Sequence, residues 1–529
     1  MRIKTLRIQN FRSFKDETIH FDDYTCLLGP NGAGKSNVLC ALNIFFRETA
    51  NAVTDLTALE EQDFHQKQTG QPISLTVTFS ELSAEAQEDF QDYVRQGELI
   101  VTAKAEFDTA SRKASVRQYG ERLGMVEFKG FFSAEGEGVS VAELKKIYSG
   151  LKLAFEDLPA PGTKAQMTDA LHAYEAERPD KCALIPSEDQ FYGFSKGANR
   201  LAKYVQWVFV PAVKHAWEEE IEGKNSALGK LLARTVRKAV NFSEEITTLR
   251  DKARVEYLEL LETKKAILKD ISASLKRRLQ EWANPNSDLS LDWSHDPEKS
   301  VQVQEPFAQI FAGESGFLGS LGRCGHGLQR SYLLALLQEL ASGPEDGMPR
   351  LILACEEPEL YQHPPQARHM ASILRALADH ESQVILCSHS PYFINGMDFE
   401  SVRLVRKEHH SNCSQVKTAS FANVAARLAT ANGKPPLKPT GMKAKIHQEL
   451  QPALNEIFFS PSIVLVEGLE DAAYIKTCLI LEEMWDEFRK LGLHIVPAGG
   501  KSHMVQPLAV LLELGIPCFV LFDSDGHDQ

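Results

Sequence analysis

Gly29-Pro30-Asn31-Gly32-Ala33-Gly34-Lys35-Ser36 decides how this chain folds. The stretch fits the phosphate-loop pattern Gly-x-x-x-x-Gly-Lys-Ser and stands between a short apolar run, Tyr24 to Leu28, and a predicted helix. Glycines here let backbone N–H groups converge on phosphate oxygens at a helix N-terminus. Lys35 can reach terminal phosphates and the Ser36 hydroxyl can bind Mg²⁺, which makes Asn31, Gly32, Gly34, Lys35, Ser36 and Asn37 the candidate nucleotide contacts.

Further along, Leu351-Ile352-Leu353-Ala354-Cys355-Glu356-Glu357 is an apolar run ending in two carboxylates, followed by Pro358. At the end of a buried strand, Glu356 would hold the Mg²⁺ shell and Glu357 would orient the attacking water. Gly325-His326-Gly327-Leu328-Gln329-Arg330 precedes an apolar helix, and such a loop can offer N–H groups to a γ-phosphate. An ordinary helix cap reads equally well there. Val384-Ile385-Leu386-Cys387-Ser388-His389 then ends a strand on a histidine able to touch the γ-phosphate.

The rest of the chain bounds the answer. Its 529 residues exceed the usual single domain, and the composition is that of an ordinary globular protein. The N-terminus alternates apolar and charged residues, and no apolar run approaches the roughly 20 residues of a membrane helix, so a cytoplasmic location without membrane contact is the expectation. The nine cysteines show no Cys-x-x-Cys and no Cys/His ligand spacing, and Cys355, Cys387 and Cys518 lie in apolar runs; they read as reduced core residues. A net charge of -14 argues against wrapping of nucleic acid by the whole surface. Residues 224 to 278, however, carry twice as many Lys and Arg as Asp and Glu. That excess faces either phosphates or plain solvent.

Residues 71 to 160 alternate strand-like runs with polar turns, as an antiparallel lobe would, and residues 165 to 285 read as long helices, Ala253 to Trp282 without Pro or Gly. A polar, proline-containing connection follows at 411 to 460. The expected domains are therefore 1–164 and 301–410 for the nucleotide-binding part, 165–300 for a helical arm, 411–460 for a linker or adaptor, and 461–529 for a second α/β unit.

That second unit carries its own chemistry. Val464-Leu465-Val466-Glu467-Gly468-Leu469-Glu470-Asp471 is a strand followed by Glu-Gly and a helix, and Phe519-Val520-Leu521-Phe522-Asp523-Ser524-Asp525 is a strand followed by Asp-x-Asp. Carboxylates at strand ends converge on one crevice, where they can hold Mg²⁺ or Mn²⁺ for phosphodiester chemistry. Lys501, after Gly499-Gly500, can approach phosphate.

The order of motifs resembles the ABC ATPases, and within them the DNA-repair type heads, echoed by Ile8-Gln9-Asn10-Phe11-Arg12-Ser13-Phe14. Gly325 to Gln329 replaces the commoner LSGGQ text, and Glu356 stands where Asp is usual. The C-terminal unit looks like a TOPRIM domain. A head with Glu-Glu joined to a TOPRIM unit resembles the OLD (overcoming lysogenization defect) family and its relatives in bacterial antiphage systems, such as the Gabija nuclease subunit and retron-associated nucleases. The resemblance implies an α/β fold: an ABC-type P-loop head with a helical dimerisation insertion, then a TOPRIM domain.

It implies an ATP-regulated, metal-dependent DNA endonuclease, with ATP and Mg²⁺ as cofactors and Mn²⁺ as an option at the nuclease site. Glu357 and His389 would act on ATP, while Gly327 and Gln329 would complete the nucleotide site of a second head, hence a homodimer or an oligomer of dimers. Glu467 would be general acid or metal ligand, Asp471 a further ligand, and Asp523 with Asp525 the paired metal ligands. DNA and a defence-system partner, either a helicase-like protein or a retron reverse transcriptase with its DNA, are the implied partners. The chain stops four residues after Asp525, where a TOPRIM sheet needs a further strand and helix, so the TOPRIM unit is expected to be incomplete. Two other readings compete: a sensor ATPase whose TOPRIM unit does not cut, and a DNA-repair ATPase clamp.

Overall fold

The computed structural model describes every residue except 49–57, 92, 95, 137–138, 191–199, 213–226, 240–241, 282–285, 295, 297–299, 305, 307, 309, 314–315, 317, 341–347, 380–381, 409–410, 434, 453 and 524–529. Two compact units divide the chain. One comprises Met1–His215 with Cys324–Gln529, the other Ala216–Arg323.

In the first unit a six-stranded sheet supplies the floor of the nucleotide site. Its order is Ser414–Lys417, Val402–Lys407, Tyr24–Leu28, Gln383–Cys387, Arg350–Glu356, Val205–Val210. All neighbours are parallel except the first pair. Every residue of Tyr24–Leu28 and Gln383–Cys387 is buried, because helices cover both faces of a parallel sheet and leave no polar side. A second, wholly antiparallel sheet begins with Phe14–His20, Arg2–Phe11 and Ile73–Ser80 and continues through Leu99–Asp108 and Lys113–Gly124. Here Ile73, Leu75, Val77 and Phe79 are buried and the residues between them are half-buried, the period of two that one covered face produces. Both sheets share one core that includes Ile8, Phe11, Leu27, Val38, Phe45, Phe79 and Trp207.

Two segments assigned elsewhere from sequence belong to the parallel sheet. Val205–Val210 lies inside the stretch 165–300 expected to be a helical arm, and pairs with Arg350–Glu356 from Arg350↔Val205 to Cys355↔Val210. Ser414–Lys417 lies inside the expected 411–460 linker and pairs with Val402–Lys407. Each is a short edge strand, of six and four residues, with little sequence of its own to mark it. The helix Lys164–Glu177, opened by a capping box from Thr163 to Gln166, also lies outside the arm. It packs with Lys129–Gly136 and Val141–Ala154 around Phe128, Phe131, Leu144, Tyr148, Met167 and Leu171.

The helices Ala227–Ala239 and Ser243–Glu281 belong to the second unit, and the latter runs for 39 residues without a break. Its length follows from a sequence rich in Ala, Leu, Glu, Lys and Arg with no Pro or Gly to interrupt it.

Beyond the head, the helices Phe421–Asn432 and Pro439–Glu449 form an adaptor. Arg427 pairs with Glu513 at 3.0 Å, and Gly396 lies so near the adaptor that an added Cβ would stand 2.4 Å from the His447 Cα. A three-stranded parallel sheet ends the chain, with Ile463–Val466 at its centre between His494–Pro497 and Cys518–Leu521. Cys26, Cys355 and Cys387 are buried, whereas Cys518 is half-buried rather than in the core. Among the described residues no helix is long and apolar enough to cross a membrane.

Candidate ATP and metal sites

Register places the first site. Leu27, Cys387 and Glu356 stand abreast on three neighbouring parallel strands. The loops that leave these strand ends, the P-loop, Ser388-His389 and Glu357, therefore open on one crevice. Gly29 has φ 137°, and a Cβ there would stand 2.1 Å from the carbonyl oxygen of Val405; Gly34 has φ 112°, and a Cβ would stand 2.6 Å from the Ser414 Oγ and 2.8 Å from the Ser13 Oγ. Only glycine fits at either position. The helix Lys35–Phe46 starts here, with Asn31, Gly32 and Ser36 exposed at its mouth.

The Lys35 ammonium donates to the carbonyls of Gly29 at 2.8 Å and Pro30 at 3.0 Å. Burial lowers its pKa, and the carboxylates of Glu357, Glu356 and Glu359 oppose that shift. A cation wrapped by two carbonyls and facing carboxylates fits an arriving phosphate. Asn37, expected among the nucleotide contacts, donates its Nδ2 to the Ser13 Oγ at 2.9 Å and accepts at its Oδ1 from Arg12 at 3.4 Å, which ties the start of the helix to the turn between the first two strands.

Glu357 takes a left-handed φ of 44°, rare for a residue with a side chain, and its N–H donates to the Cys387 carbonyl at 2.8 Å. That turn brings its Oε1 to 3.7 Å from the His389 Nε2. Burial lowers the His389 pKa, the Lys35 charge lowers it further, and Glu357 opposes both. A neutral His389 is the result at neutral pH.

Sequence reasoning passed over Glu359. Its Oε1 accepts from the His389 N–H at 2.7 Å and from the Ser388 Oγ at 2.9 Å, while its Oε2 is buried with no partner. Burial raises its pKa, opposed by those hydrogen bonds. The signal available in sequence was a third acid directly after Glu-Glu-Pro, too near the first two to be separated from them by pattern alone.

The glycine loop opens the helix His326–Leu340, and Gly327 is exposed. Gln329 is buried, and its Nε2 donates to the Cys324 carbonyl at 2.8 Å. Arg330 donates to the carbonyls of Pro211 and Ala212, just past the edge strand Val205–Val210. That strand is three places from the P-loop strand, roughly 14 Å at the usual strand spacing.

In the C-terminal sheet, Glu467 directly follows the central strand. Its backbone carbonyl accepts from the Gly500 N–H at 2.8 Å, and its Oε2 is buried without a hydrogen-bond partner. Asp471 turns onto its own helix, its Oδ2 accepting from the Gly468 N–H at 2.8 Å. Asp523 is exposed, with its carbonyl accepting from the Lys501 Nζ at 2.7 Å. Asp525 lies outside the described residues. Among the described residues no three His, Cys, Asp or Glu side chains form a group that could hold a metal ion. The helix cap engages one Asp471 oxygen. Among the described candidate metal ligands of this sheet, Glu467 retains a buried oxygen that a cation would satisfy.

Residues 1–394 match the family described as AAA ATPase domain. The chain belongs to that family. Residues 458–525 match the overcoming lysogenization defect protein-like TOPRIM domain. This AAA-family chain is thus an ATPase joined to a TOPRIM nuclease domain, and the two domains use nucleotide and divalent metal. It is similar to the Old nuclease of Escherichia phage P2, 22% identical over 99% of this chain and 77% of that protein. It is equally similar to the OLD nuclease of Thermus scotoductus, 22% identical over 99% of this chain and 82% of that protein. Among solved structures, the Smc head domain with an extended coiled coil from Pyrococcus furiosus matches with a TM-score of 0.39 at 15% identity, over 81% of this chain and 99% of that one.

Proposed function

We propose that this ATPase is an ATP-regulated, metal-dependent DNA endonuclease of a bacterial antiphage defence system, working in the cytoplasm. The observation that carries the reading is Glu467, whose Oε2 is buried and unpartnered at the end of the central TOPRIM strand. Leaving such an oxygen unsatisfied costs about 1–3 kcal/mol, a cost that folds retain at functional sites. A Mg²⁺ or Mn²⁺ ion there would supply Lewis-acid polarisation of a phosphodiester. Glu467 would hold it together with Asp523 and Asp525, and Asp471 would join only by leaving its helix cap.

In the head, Gly32, Gly34 and Lys35 cradle the phosphates, Ser36 and Glu356 hold the Mg²⁺ shell, Glu357 orients water and His389 touches the γ-phosphate. Gly327 and Gln329 serve the P-loop of a second head. The support is that Arg330 ties their helix to the edge strand of the sheet, three places from the P-loop strand. A homodimer, or an oligomer of dimers, follows. A helicase-like protein or a retron reverse transcriptase with its DNA completes the system.

The test is supercoiled plasmid incubated with the full-length protein and Mg²⁺ or Mn²⁺, with and without ATP. Nicked circles that require the metal and change in yield with ATP are expected. Intact plasmid under every condition would overturn the endonuclease and leave the sensor ATPase or the repair clamp.

A further inference from the structure

Beside the P-loop, a nucleophile and a base are assembled that neither the ATPase nor the nuclease chemistry uses. Cys413 is half-buried just ahead of the strand Ser414–Lys417, and its Sγ is 3.5 Å from the Nε2 of His65, which is buried. The other ring nitrogen settles the tautomer. His65 Nδ1 is 2.8 Å from the carbonyl oxygen of Arg12, and a carbonyl only accepts, so Nδ1 carries the hydrogen. In the neutral ring Nε2 then presents a lone pair to the thiol. The thiol also lies 3.5 Å from the Ser411 carbonyl, a second acceptor for its hydrogen, which holds the sulfur in place. A nucleophile facing a base that a third group orients is the arrangement that activates thiols.

Two hydrogen-bonded routes run from this pair to the nucleotide loop. Ser414, next in sequence, donates its N–H to the Ser13 carbonyl at 2.8 Å and its hydroxyl to the Ala33 carbonyl at 2.6 Å, against the face where Gly34 has no Cβ. On the other side His65 holds Arg12, whose guanidinium reaches Asp63 at 2.9 Å and Asn37 in the P-loop helix at 3.4 Å.

We propose that Cys413 is a modifiable thiol, activated by His65, whose oxidation by a peroxide weakens nucleotide binding at the adjacent P-loop. His65 Nε2 takes the thiol proton, and the thiolate attacks one oxygen of hydrogen peroxide. The S–O bond forms as the O–O bond breaks; sulfur loses two electrons and the peroxide gains them. The departing hydroxide takes the proton back from the imidazolium and leaves as water, with sulfenic acid at Cys413. The added oxygen displaces the sulfur from Nε2 and presses on the turn that sets Ser414. Selectivity has a physical basis, since burial pushes the Cys355 thiol up to about 12 and raises those of Cys26 and Cys387 as well.

The experiment treats the full chain with graded hydrogen peroxide, traps sulfenic acid with dimedone and maps the label by peptide mass spectrometry. Cys413 should be labelled first among the cysteines, and His65→Gln should slow that labelling by on the order of a hundredfold. In parallel, affinity for a fluorescent ATP analogue should fall about tenfold on treatment and return with dithiothreitol. Cys413→Ser should bind as the untreated chain does and ignore peroxide. Labelling spread evenly over the exposed cysteines overturns the proposal without any variant. So does complete labelling of Cys413 with unchanged affinity.

Discussion

The carboxylate of Glu359 holds the backbone N–H of His389 at 2.7 Å, so the loop that presents the histidine is fixed by the loop that follows the neighbouring strand. The same oxygen accepts from Ser388, and the second oxygen is buried without a partner. Burial raises the Glu359 pKa above its ordinary 4.5, so the ionised form is the disfavoured one. An acid whose pKa is higher folded than unfolded contributes stability that is lost as pH rises above its unfolded value.

Glu359→Gln keeps the accepting oxygen and removes the charge. Its stability should match or exceed the parent at pH 7, and the parent's loss of stability above pH 4.5 should flatten in the variant. Glu359→Ala leaves the His389 N–H without an acceptor and should cost about 1–3 kcal/mol, with reduced ATP turnover. Denaturant unfolding across the acid range distinguishes the two variants. Equal destabilisation by both would remove the hydrogen bond as the cause.

Glu357 faces the same crevice from a left-handed backbone conformation, with its side chain beside His389. Strain kept at a strand end is consistent with a demand for position. Glu357→Gln should bind ATP as the parent does while turnover, followed by phosphate release, falls by on the order of 10². Unchanged turnover would take Glu357 out of the reaction.

How much of this was legible in sequence divides along the range of the interactions. The P-loop, the Glu-Glu strand end and the His389 strand end could be read because each is a local pattern, an apolar run stopped by a polar or glycine loop. That they meet depends on pairing Gln383–Cys387 between Tyr24–Leu28 and Arg350–Glu356, hundreds of residues apart, which no local pattern states. Val205–Val210 and Ser414–Lys417 were hidden for the same reason, as edge strands have little text of their own. Asp471 was legible as an acid near a strand end, but its choice between a metal and its own helix cap is decided by a rotamer.

Gly34 separates steric from conformational demand. Gly34→Ala would drive a Cβ onto the Ser414 and Ser13 hydroxyls from a φ of 112°, costing about 1–3 kcal/mol and removing nucleotide binding. Gly32→Ala meets no atom within 4 Å, though its φ of 72° still strains a side chain, so its stability loss should be the smaller. Thermal melts with and without ATP check both. A nucleotide-induced shift retained by Gly34→Ala would overturn the assignment of the cradle.

Glu467 offers the sharpest separation of stability from chemistry. A buried carboxylate oxygen with no partner destabilises the metal-free protein, because water has been removed and nothing replaces it. Substitution by a residue of similar shape and no charge relieves that cost. Glu467→Gln should therefore melt at the same temperature as the parent or higher when measured in a chelator. In the parent, added Mn²⁺ should raise the melting temperature, since a ligand that binds only the folded state stabilises it by mass action; in Glu467→Gln that rise should shrink or vanish. Plasmid nicking should be lost in Glu467→Gln and in Asp523→Ala, while ATP turnover at the P-loop head continues. The opposite pattern, a variant that unfolds more easily in chelator and still nicks DNA, would make Glu467 a structural acid and would remove the cation from the end of the central TOPRIM strand.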